Sequence, residues 1–134
     1  MTLTAYLDIT DLNNNQNTPE VTVNEGHDIL VAAIAGRLVH NMASDADYTL
    51  DTTTTPKPFE WQNRTVEITD TGTLLTAARN IIVPAKAKEY VFFNNTAQIL
   101  TLKTAAGTGI AVAVGKRAIL YCDGTNVVRH GADV

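Results

Sequence analysis

The sequence contains few of the residues that mark covalent cross-links or basic binding surfaces. One cysteine among 134 residues cannot form an internal disulfide. Ten Lys and Arg residues against fourteen Asp and Glu residues give a formal net charge of −4, and the basic side chains are scattered along the chain. Nucleic-acid binding normally requires a basic face. The composition therefore argues against a nucleic-acid partner and against a polybasic membrane anchor.

Long apolar runs are also missing. No run approaches the roughly 20 residues that span a bilayer. The opening residues MTLTAYLDITD lack the basic start of a signal peptide. We therefore expect a protein that is made in a cytoplasm and has no membrane partner. With 134 residues, 45% of them hydrophobic, we expect a single domain, 1–134, with a core of its own.

The composition and the spacing of apolar residues favour β-structure. Threonine occurs twenty times and asparagine eleven, which favours strands and turns over helices. Apolar residues alternate with polar ones from Leu3 to Ile9, a pattern typical of a strand with one covered face. Further strands are predicted at 48–54, 60–62, 65–69, 80–83, 89–93, 98–103, 110–114, 117–121 and 126–129.

Short strands at this spacing predict a mainly β fold with one N-terminal apolar helix. The sheet arrangement that we expect is an antiparallel β-sandwich or small barrel, similar to a jelly roll. Strands do not alternate with helices, so a parallel α/β sheet is not expected. Within the domain, we assign residues 1–45 to assembly and anchoring. Residues 46–134 form the β-sandwich, which ends in a β-meander.

The single predicted helix runs from Thr22 to about His40. Thr22 and Glu25 match a capping box. The middle of the helix, ILVAAIAG, is apolar nearly all round, so it must be covered on more than one side. Two sheets could cover it, but so could copies of the helix around a threefold axis. The candidate oligomer interface, at a spacing near 3.5 residues, comprises Leu30, Ile34, Arg37 and Leu38.

The stretch LYCDGTNVV contains the only cysteine, Cys122. Asp-Gly is a strong signal for a two-residue hairpin turn of type I′, in which both central residues have positive φ. A nucleophilic cysteine needs a positioned base. His130 could approach across the hairpin, but no third group that would orient it is evident. We therefore interpret Cys122 as a structural residue at a strand end.

Two stretches partly match ligand-binding loops, one for phosphate and one for calcium, but neither has the required spacing and residues. GTGIAVAVGKR has five residues between its glycines where a phosphate-binding loop has four. In DLNNNQNTPEVT, Asp11, Asn13 and Asn15 have calcium-loop spacing, but Gln16 and Thr22 stand where glycine and glutamate are needed. The favoured interpretations are a strand and a solvated loop.

The three histidines give no cluster within one chain. In a trimer, three copies of His27 or Arg37 could meet around an ion, but a packed histidine is the favoured interpretation. We therefore predict no catalytic, cofactor-binding or metal site, and no enzymatic activity.

Two stretches, NTPEVTVNEGHDILVAAIAGRLV and YVFFNNTAQILTLKTAAGTGIAVAVGKRAILYCDGTNVVR, resemble segments of tailed-bacteriophage virion proteins. The first resembles a Gln/Asn-rich lead followed by a VTVNEA-like cap and a short helix, with Gly26 where alanine is usual. The second resembles the terminal β-module of phage fibre and head-decoration proteins. Together they cover about half of the chain.

The resemblance implies structural roles and no catalytic residues. The implied turn-setting residues of the β-meander are Asn94, Asn95, Gly107, Gly109, Gly115, Asp123 and Gly124. A chain of 134 residues leaves little room for a fibre shaft. We therefore expect a capsid decoration or cement protein, a homotrimer that binds the major capsid protein on the outer surface of the virion head.

The N-terminal strand and the Asn-rich loop are the expected capsid-contacting segments, because an unpaired strand can add to a neighbouring sheet. The candidate contact residues are Leu3, Tyr6, Asn13, Asn14 and Asn15. The alternative is a short tail-fibre or head-fibre protein that binds a host receptor. A small enzyme is a third, less favoured reading.

Overall fold

The computed structural model of the chain describes residues 3–4, 6–54 and 57–131. Within these residues the fold is mainly β, with one α-helix, a short 3₁₀ turn at Glu60–Gln62 and nine strands. The helix and strands are α1 Pro19–Ala35, β1 Arg37–Asn41, β2 Tyr48–Thr49, β3 Thr65–Thr69, β4 Arg79–Val83, β5 Lys88–Asn95, β6 Leu100–Thr104, β7 Gly109–Val112, β8 Arg117–Cys122 and β9 Val127–Arg129.

From β1 to β6, successive strands alternate between two sheets. The five-stranded sheet has the order β1-β3-β5-β8-β9, and the four-stranded sheet has the order β2-β4-β6-β7. Strands β1, β3 and β5 run parallel, as do β2, β4 and β6. The last strands, β7 to β9, pair antiparallel. Both sheets are therefore mixed, and they do not close into a barrel.

The expectation of antiparallel pairing was wrong for the first six strands. Each strand from β1 to β5 is followed by a strand in the other sheet, so the chain returns to the first sheet in the same direction. Each crossover passes through a strand of the other sheet, whereas parallel strands are usually connected by helices. The absence of predicted helices after residue 46 therefore did not exclude parallel pairs.

The hydrophobic core contains side chains from both sheets. Strand β5 shows why: Tyr90 and Phe92 point inward and are buried, while Val91 and Phe93 between them are half-exposed. This alternation is the two-residue period of a strand with one covered face. The core side chains on strands are Val66, Ile68, Ile81, Val83, Tyr90, Phe92, Leu100, Leu102, Val112, Ala118, Leu120, Cys122 and Val127.

The helix begins and ends earlier than the sequence pattern predicted. It begins at Pro19, whose fixed φ suits the first helical position, and Thr22 is a buried residue inside it instead of its N-cap. It ends at Ala35, because Gly36 is extended and its N–H donates to the Ala32 carbonyl. The chain then continues as β1, so the predicted helical end near His40 was wrong.

Seven of the predicted strands correspond to β3 through β9 within two residues at each end. The predicted strand 48–54 is reduced to β2, and 60–62 forms the 3₁₀ turn. The N-terminal strand is not formed among the described residues, which exclude Ala5. Leu3 pairs with Thr10 in a single antiparallel bridge, and Asp8 between them has a φ of 55°. The segment therefore folds back on itself, because this left-handed conformation interrupts an extended strand.

Candidate assembly surface

The side of α1 that faces the protein is built mainly from small residues. Thr22, Gly26, Ile29 and Ala32 are buried there. A Cβ atom at Gly26 would lie 3.2 Å from Cγ2 of Ile9, so the N-terminal segment packs closely against this turn of the helix. Glycine costs about 1 kcal/mol of helix propensity relative to alanine. At this position it permits a close approach of the preceding segment.

A second side of α1, about 100° around the helix from the buried side, is apolar and faces solvent. Val23, Leu30, Val31 and Ile34 have exposed fractions between 39% and 68%, with Ile34 the most exposed. Together with His27, three of these residues follow the spacing 23, 27, 30 and 34, which places them along one stripe of the helix. We call residues 23, 27, 30, 31 and 34 the outer helix face. Leu30 and Ile34, which the sequence assigned to the oligomer interface, both lie on it.

The other two predicted interface residues lie elsewhere. Arg37 and Leu38 are on β1, so placing them on the helix with Leu30 and Ile34 was wrong. The Arg37 guanidinium donates to the carboxylate of Glu67 on the neighbouring strand, and the side chain of Arg37 remains 61% exposed. Leu38 is half-buried against the hydrophobic core. Arg37 is thus at the end of the outer helix face, whereas Leu38 points away from solvent.

A groove of about 290 Å³ lies between α1 and the segment that precedes it. Its apolar walls are formed by Ile9 and Leu12 on one side and by Val23, Gly26 and Leu30 on the other. We call it the helix groove. It is continuous with the outer helix face because Val23 and Leu30 belong to both.

The predicted capsid-contact residues are all exposed. Leu3 and Tyr6 present large apolar side chains to solvent, and Asn13, Asn14 and Asn15 form a loop on the surface. The side chain of Gln16 accepts a hydrogen bond from the Asn13 N–H at 3.2 Å, which closes this loop. The structure places the five residues on the same N-terminal segment but gives them no extended strand.

The second stretch with a resemblance forms β5 to β9, and two of its glycines lie where side chains would not fit. A Cβ atom at Gly107 would lie 2.0 Å from the Thr125 carbonyl oxygen, and one at Gly109 would lie 2.3 Å from the Leu102 carbonyl oxygen. Gly115, between β7 and β8, has a φ of 71°. Gly107 and Gly115 lie in the connections before and after β7, whereas Gly109 is the first residue of β7 itself.

The hairpin after Cys122 is not the two-residue turn that Asp-Gly suggested. Cys122 pairs with Val127, so four residues form the loop. The Asp123 side chain accepts from the N–H groups of Thr125 and Asn126, and Gly124 has a φ of 97°. A type I′ turn needs positive φ at both central residues, whereas Asp123 is not in that region. The side-chain bonds of Asp123 stabilise the longer loop instead.

Asn94 has a larger role than its predicted place in a turn. It lies inside β5 and is fully buried, and its side-chain amide donates to the carbonyls of Gln98 and Val112. Its side-chain oxygen accepts from the N–H and hydroxyl groups of Thr96. Because Val112 belongs to the four-stranded sheet, this side chain connects the two sheets. Asn95, the last residue of β5, donates to Glu67 on the outer side.

Cys122 is buried, and His130 does not approach it. The thiol lies inside the core, 3.8 Å from the Pro84 carbonyl oxygen. His130 packs edge-on against the ring of Tyr121, with the ring centroids 5.6 Å apart. Neighbouring strand residues point to opposite faces of a sheet, so His130 lies across the sheet from the thiol. The geometry offers no base to activate Cys122.

Lys88, which the sequence analysis did not single out, is a buried cation. It lies opposite Cys122, and its ammonium donates to the carbonyls of Asn63 and Glu89 at 2.6 and 2.9 Å. The ammonium also lies 3.9 Å from the centre of the Tyr90 ring. Burial lowers the pKa of Lys88 to about 7. The alternation Lys88, Tyr90, Phe92 in the sequence was the signal that could have placed it inside.

A polar cluster connects the edge strands of the two sheets. His40 on β1 stacks on Tyr48 of β2 with ring centroids 3.7 Å apart, and the Tyr48 hydroxyl donates to Glu60 at 2.6 Å. Burial lowers the pKa of His40, and the nearby Glu60 carboxylate partly opposes this shift. Burial and the bond to Glu60 raise the pKa of Tyr48. The cluster holds β1 and β2 together across the sheets.

A second cavity, of about 380 Å³, lies at the ends of β2, β4 and β6. Threonine, alanine, glycine, proline and two aliphatic side chains line it, without an aromatic ring or a charged group among the described residues. Such a wall offers no titratable group for acid–base chemistry.

Within residues 3–4, 6–54 and 57–131, no three His, Cys, Asp or Glu side chains converge in a way that would hold a metal ion. The one α-helix in this part of the chain is not long and apolar enough to cross a bilayer. Comparison with protein-family models, with curated proteins and with solved structures gave no match to this chain.

Proposed function

We propose that this chain is a structural protein of a tailed-bacteriophage virion, a capsid decoration protein that binds the assembled head as an oligomer and stabilises it. The observation that carries the proposal is the contrast between a sheet core that encloses its own apolar side chains and a helix that exposes four large apolar side chains, Val23, Leu30, Val31 and Ile34. A contiguous exposed apolar surface marks an interaction site in a folded protein. The sequence resemblance to virion proteins supports the assignment of this chain to a phage particle.

The proposed assembly is a homotrimer that contacts the major capsid protein on the outer surface of the head. Trimers suit threefold positions of an icosahedral shell. A trimer that contacts several capsid subunits at once turns modest contacts into strong attachment through effective concentration. The exposed N-terminal segment, with Leu3, Tyr6 and the loop of Asn13, Asn14 and Asn15, is the surface proposed to touch the shell.

The two sheets are proposed to pack as a sandwich, with the terminal meander directed away from the shell. Core side chains from both sheets, Ile68 and Phe92 on one and Ile81 and Leu102 on the other, support this arrangement. The Asn94 amide that reaches from β5 to Val112 also supports it. The jelly-roll order of strands is not part of the proposal, because β1, β3 and β5 are parallel.

A structural role in place of catalysis is part of the same proposal. Three titratable groups of the sheet body are engaged in packing: Cys122 lies in the core, and the Lys88 ammonium is held by two backbone carbonyls. His40 stacks on Tyr48. None of these lines the helix groove.

The test is to add the purified chain to expanded heads that lack decoration and to measure the temperature at which they release DNA. We expect a higher rupture temperature and density for the chain on the outer shell in electron microscopy. Tyr6→Asp should weaken head binding at least about tenfold, because a buried aromatic anchor contributes 2 kcal/mol or more to an interface. Val114→Asp is the matched control, since Val114 is exposed on the turn after β7.

Equal loss of binding in both variants would contradict the proposed contact surface. Chain that stains host cells and leaves the heads unchanged would replace the decoration role with the fibre alternative, in which a host receptor is the partner. Turnover of a substrate from a broad panel would overturn the structural role itself.

A further inference from the structure

We propose that His40, Tyr48 and Glu60 form an acid-sensitive contact between the two sheets, and that protonation of the His40 imidazole lets the sheet edges separate at this contact. We call these three residues the edge cluster. Strands β1 and β2 lie at the edges of different sheets, so side chains join them here instead of the hydrogen bonds of a shared sheet. The change occurs within one chain and does not depend on the proposed function.

The contact between the two edges is small. Strand β2 has two residues, Tyr48 and Thr49, and both pair with β4 of their own sheet. Tyr48 reaches the other sheet through its ring, which stacks on His40 with the centroids 3.7 Å apart. Short elements with few buried contacts are the parts of a protein that open locally at low free energy. A change in the charge of His40 therefore acts where the sandwich is least firmly closed.

The closed arrangement suits a neutral imidazole better than a charged one. Nδ1 of His40 lies 3.8 Å from Oε2 of Glu60, which is too long for a hydrogen bond. Nε2 is buried and has no hydrogen-bond partner within residues 3–4, 6–54 and 57–131. A protonated imidazole carries an N–H donor on both nitrogens. Because a buried charged donor without an acceptor is costly, protonation favours an arrangement in which Nε2 reaches water.

The surroundings of His40 compensate a positive charge only in part. The titratable groups that face it are Tyr48 on β2 and Glu60 in the 3₁₀ turn, and one carboxylate oxygen of Glu60 already accepts from the Tyr48 hydroxyl at 2.6 Å. On β3 the residue in register is Ile68, which cannot titrate, and the Thr69 hydroxyl donates to the backbone carbonyl of His40. Burial lowers the pKa of His40 and outweighs the opposing effect of Glu60.

These surroundings fix the direction of the pH effect. A histidine in water has a pKa of about 6.5, above that of His40 in the closed form. Between the two values the open form binds more protons, so opening becomes more favourable as the pH falls below about 6.5. The effect ends below the lowered pKa of the closed form. One proton changes the opening constant by at most about tenfold per pH unit.

Trp61 can report the opening. It is the only tryptophan of the chain, it directly follows Glu60, and it is buried. It shares the core with Met42 and Leu50, which directly follow β1 and β2. Separation of the two edges would therefore admit water and small molecules to this part of the core. The experiment is acrylamide quenching of Trp61 fluorescence in the full chain between about pH 7.5 and pH 5, with a nuclear magnetic resonance titration of the histidine rings.

In the parent chain the quenching rate should rise as the pH falls below about 6.5, by up to about tenfold per pH unit. His40→Gln should abolish the rise, because an amide stays neutral. His27→Gln and His130→Gln are the matched controls, since both histidines are exposed, and they should keep the parent response. Glu60→Gln should move the titration of the His40 ring to lower pH, because it removes the charge that opposes the effect of burial.

A His40 ring that titrates at or above pH 6.5 overturns the inference, and this measurement needs no variant. A quenching rate that does not rise in acid overturns it, and so does a rise that persists in a folded His40→Gln variant or is lost in His27→Gln. Loss of the far-ultraviolet circular dichroism signal over the same range would show global unfolding and also overturn it. If His40→Gln does not fold, the ring titration in the parent chain and in Glu60→Gln decides.

Discussion

The N-terminal region, residues 3–4 and 6–35, and the sheet body, residues 37–54 and 57–131, bury the same kinds of side chain to different extents. In the sheet body, Ile68, Leu100 and Leu102 are completely buried. In the helix, Leu30, Val31 and Ile34 face solvent. A strand has two faces, and alternation lets it direct most of its apolar residues to one of them, although Val39, Ile119 and Val128 remain exposed on the other face. The helix has apolar residues on both sides, and its own chain covers only one.

The difference separates the part that folds by itself from the part that is available for a partner. Strands from both sheets share one core, and Asn94 and the His40–Tyr48 stack hold the two sheets together. The sheet body is therefore expected to dominate the stability of the monomer. The outer helix face is expected to contribute to assembly and little to monomer folding.

The largest expected effect is in the middle of the sheet body. Phe92→Ala should lower the free energy of unfolding by about 3–5 kcal/mol, because it removes a fully buried aromatic ring and leaves a cavity. Chemical denaturation monitored by tryptophan fluorescence measures this change, since Trp61 is in the same core.

The matched control for that substitution is the next residue. Phe93 is on the outer side of β5, half-exposed, with the Arg117 guanidinium 3.7 Å from its ring centre. Phe93→Ala should cost about 1 kcal/mol, the contribution of an exposed cation–π pair together with partial burial. Equal losses at both positions would mean that β5 does not have one covered and one open face.

The second expected effect is a pH dependence of stability that comes from Lys88, whose amine is buried in the sheet body. The pKa of Lys88 is lowered to about 7 by burial, well below its value of about 10.5 in an unfolded chain. Between these two values the unfolded chain binds more protons, so stability rises as pH rises. From pH 7 to pH 10 this group should add about 3 kcal/mol to the free energy of unfolding.

Lys88→Met tests that assignment, because methionine fills a similar volume without titrating. The variant should show a flatter dependence of unfolding free energy on pH between 7 and 10 than the parent chain. Lys103→Met on β6, where the side chain is half-exposed, is the control and should keep the parent slope. Identical slopes for the parent and Lys88→Met would show that the amine is not enclosed as the structure describes.

Local sequence signals predicted the later strands well and their pairing poorly. The alternation of Tyr90 with Phe92, and turn residues such as Gly115 and Gly124, are local, so β3 to β9 could be placed from the sequence. The direction of pairing depends on which sheet the chain enters after each loop. Local sequence patterns do not predict that choice. Parallel pairing of β1, β3 and β5 was therefore missed.

The prediction of the helix end was wrong for a different reason. Gly36 is an ordinary signal for a helix end, but the apolar spacing that continues to Leu38 was given more weight. Leu38 is apolar because it packs on the core from β1, not because it continues the helix. Leu30 and Ile34 could be assigned to an exposed apolar face from their spacing alone. The groove beside them could not, because it depends on how residues 9–12 fold back against Gly26.

The smallest expected effect comes from comparing two positions on α1, Val31 on the outer helix face and Ile29 on the buried side. Because both are on the same helix, this is the sharpest test of the difference between the covered and the exposed side. At a concentration low enough for the chain to be a monomer, Val31→Ala should leave the free energy of unfolding unchanged or raise it by about 0.5 kcal/mol. Val31 is exposed, and alanine has the higher helix propensity. Ile29→Ala under the same conditions should lower it by 2 kcal/mol or more, since Ile29 is fully buried on the inner side. A comparable loss at Val31, measured by urea denaturation, would mean that the chain covers its own outer helix face, and the reason to expect a second copy there would disappear.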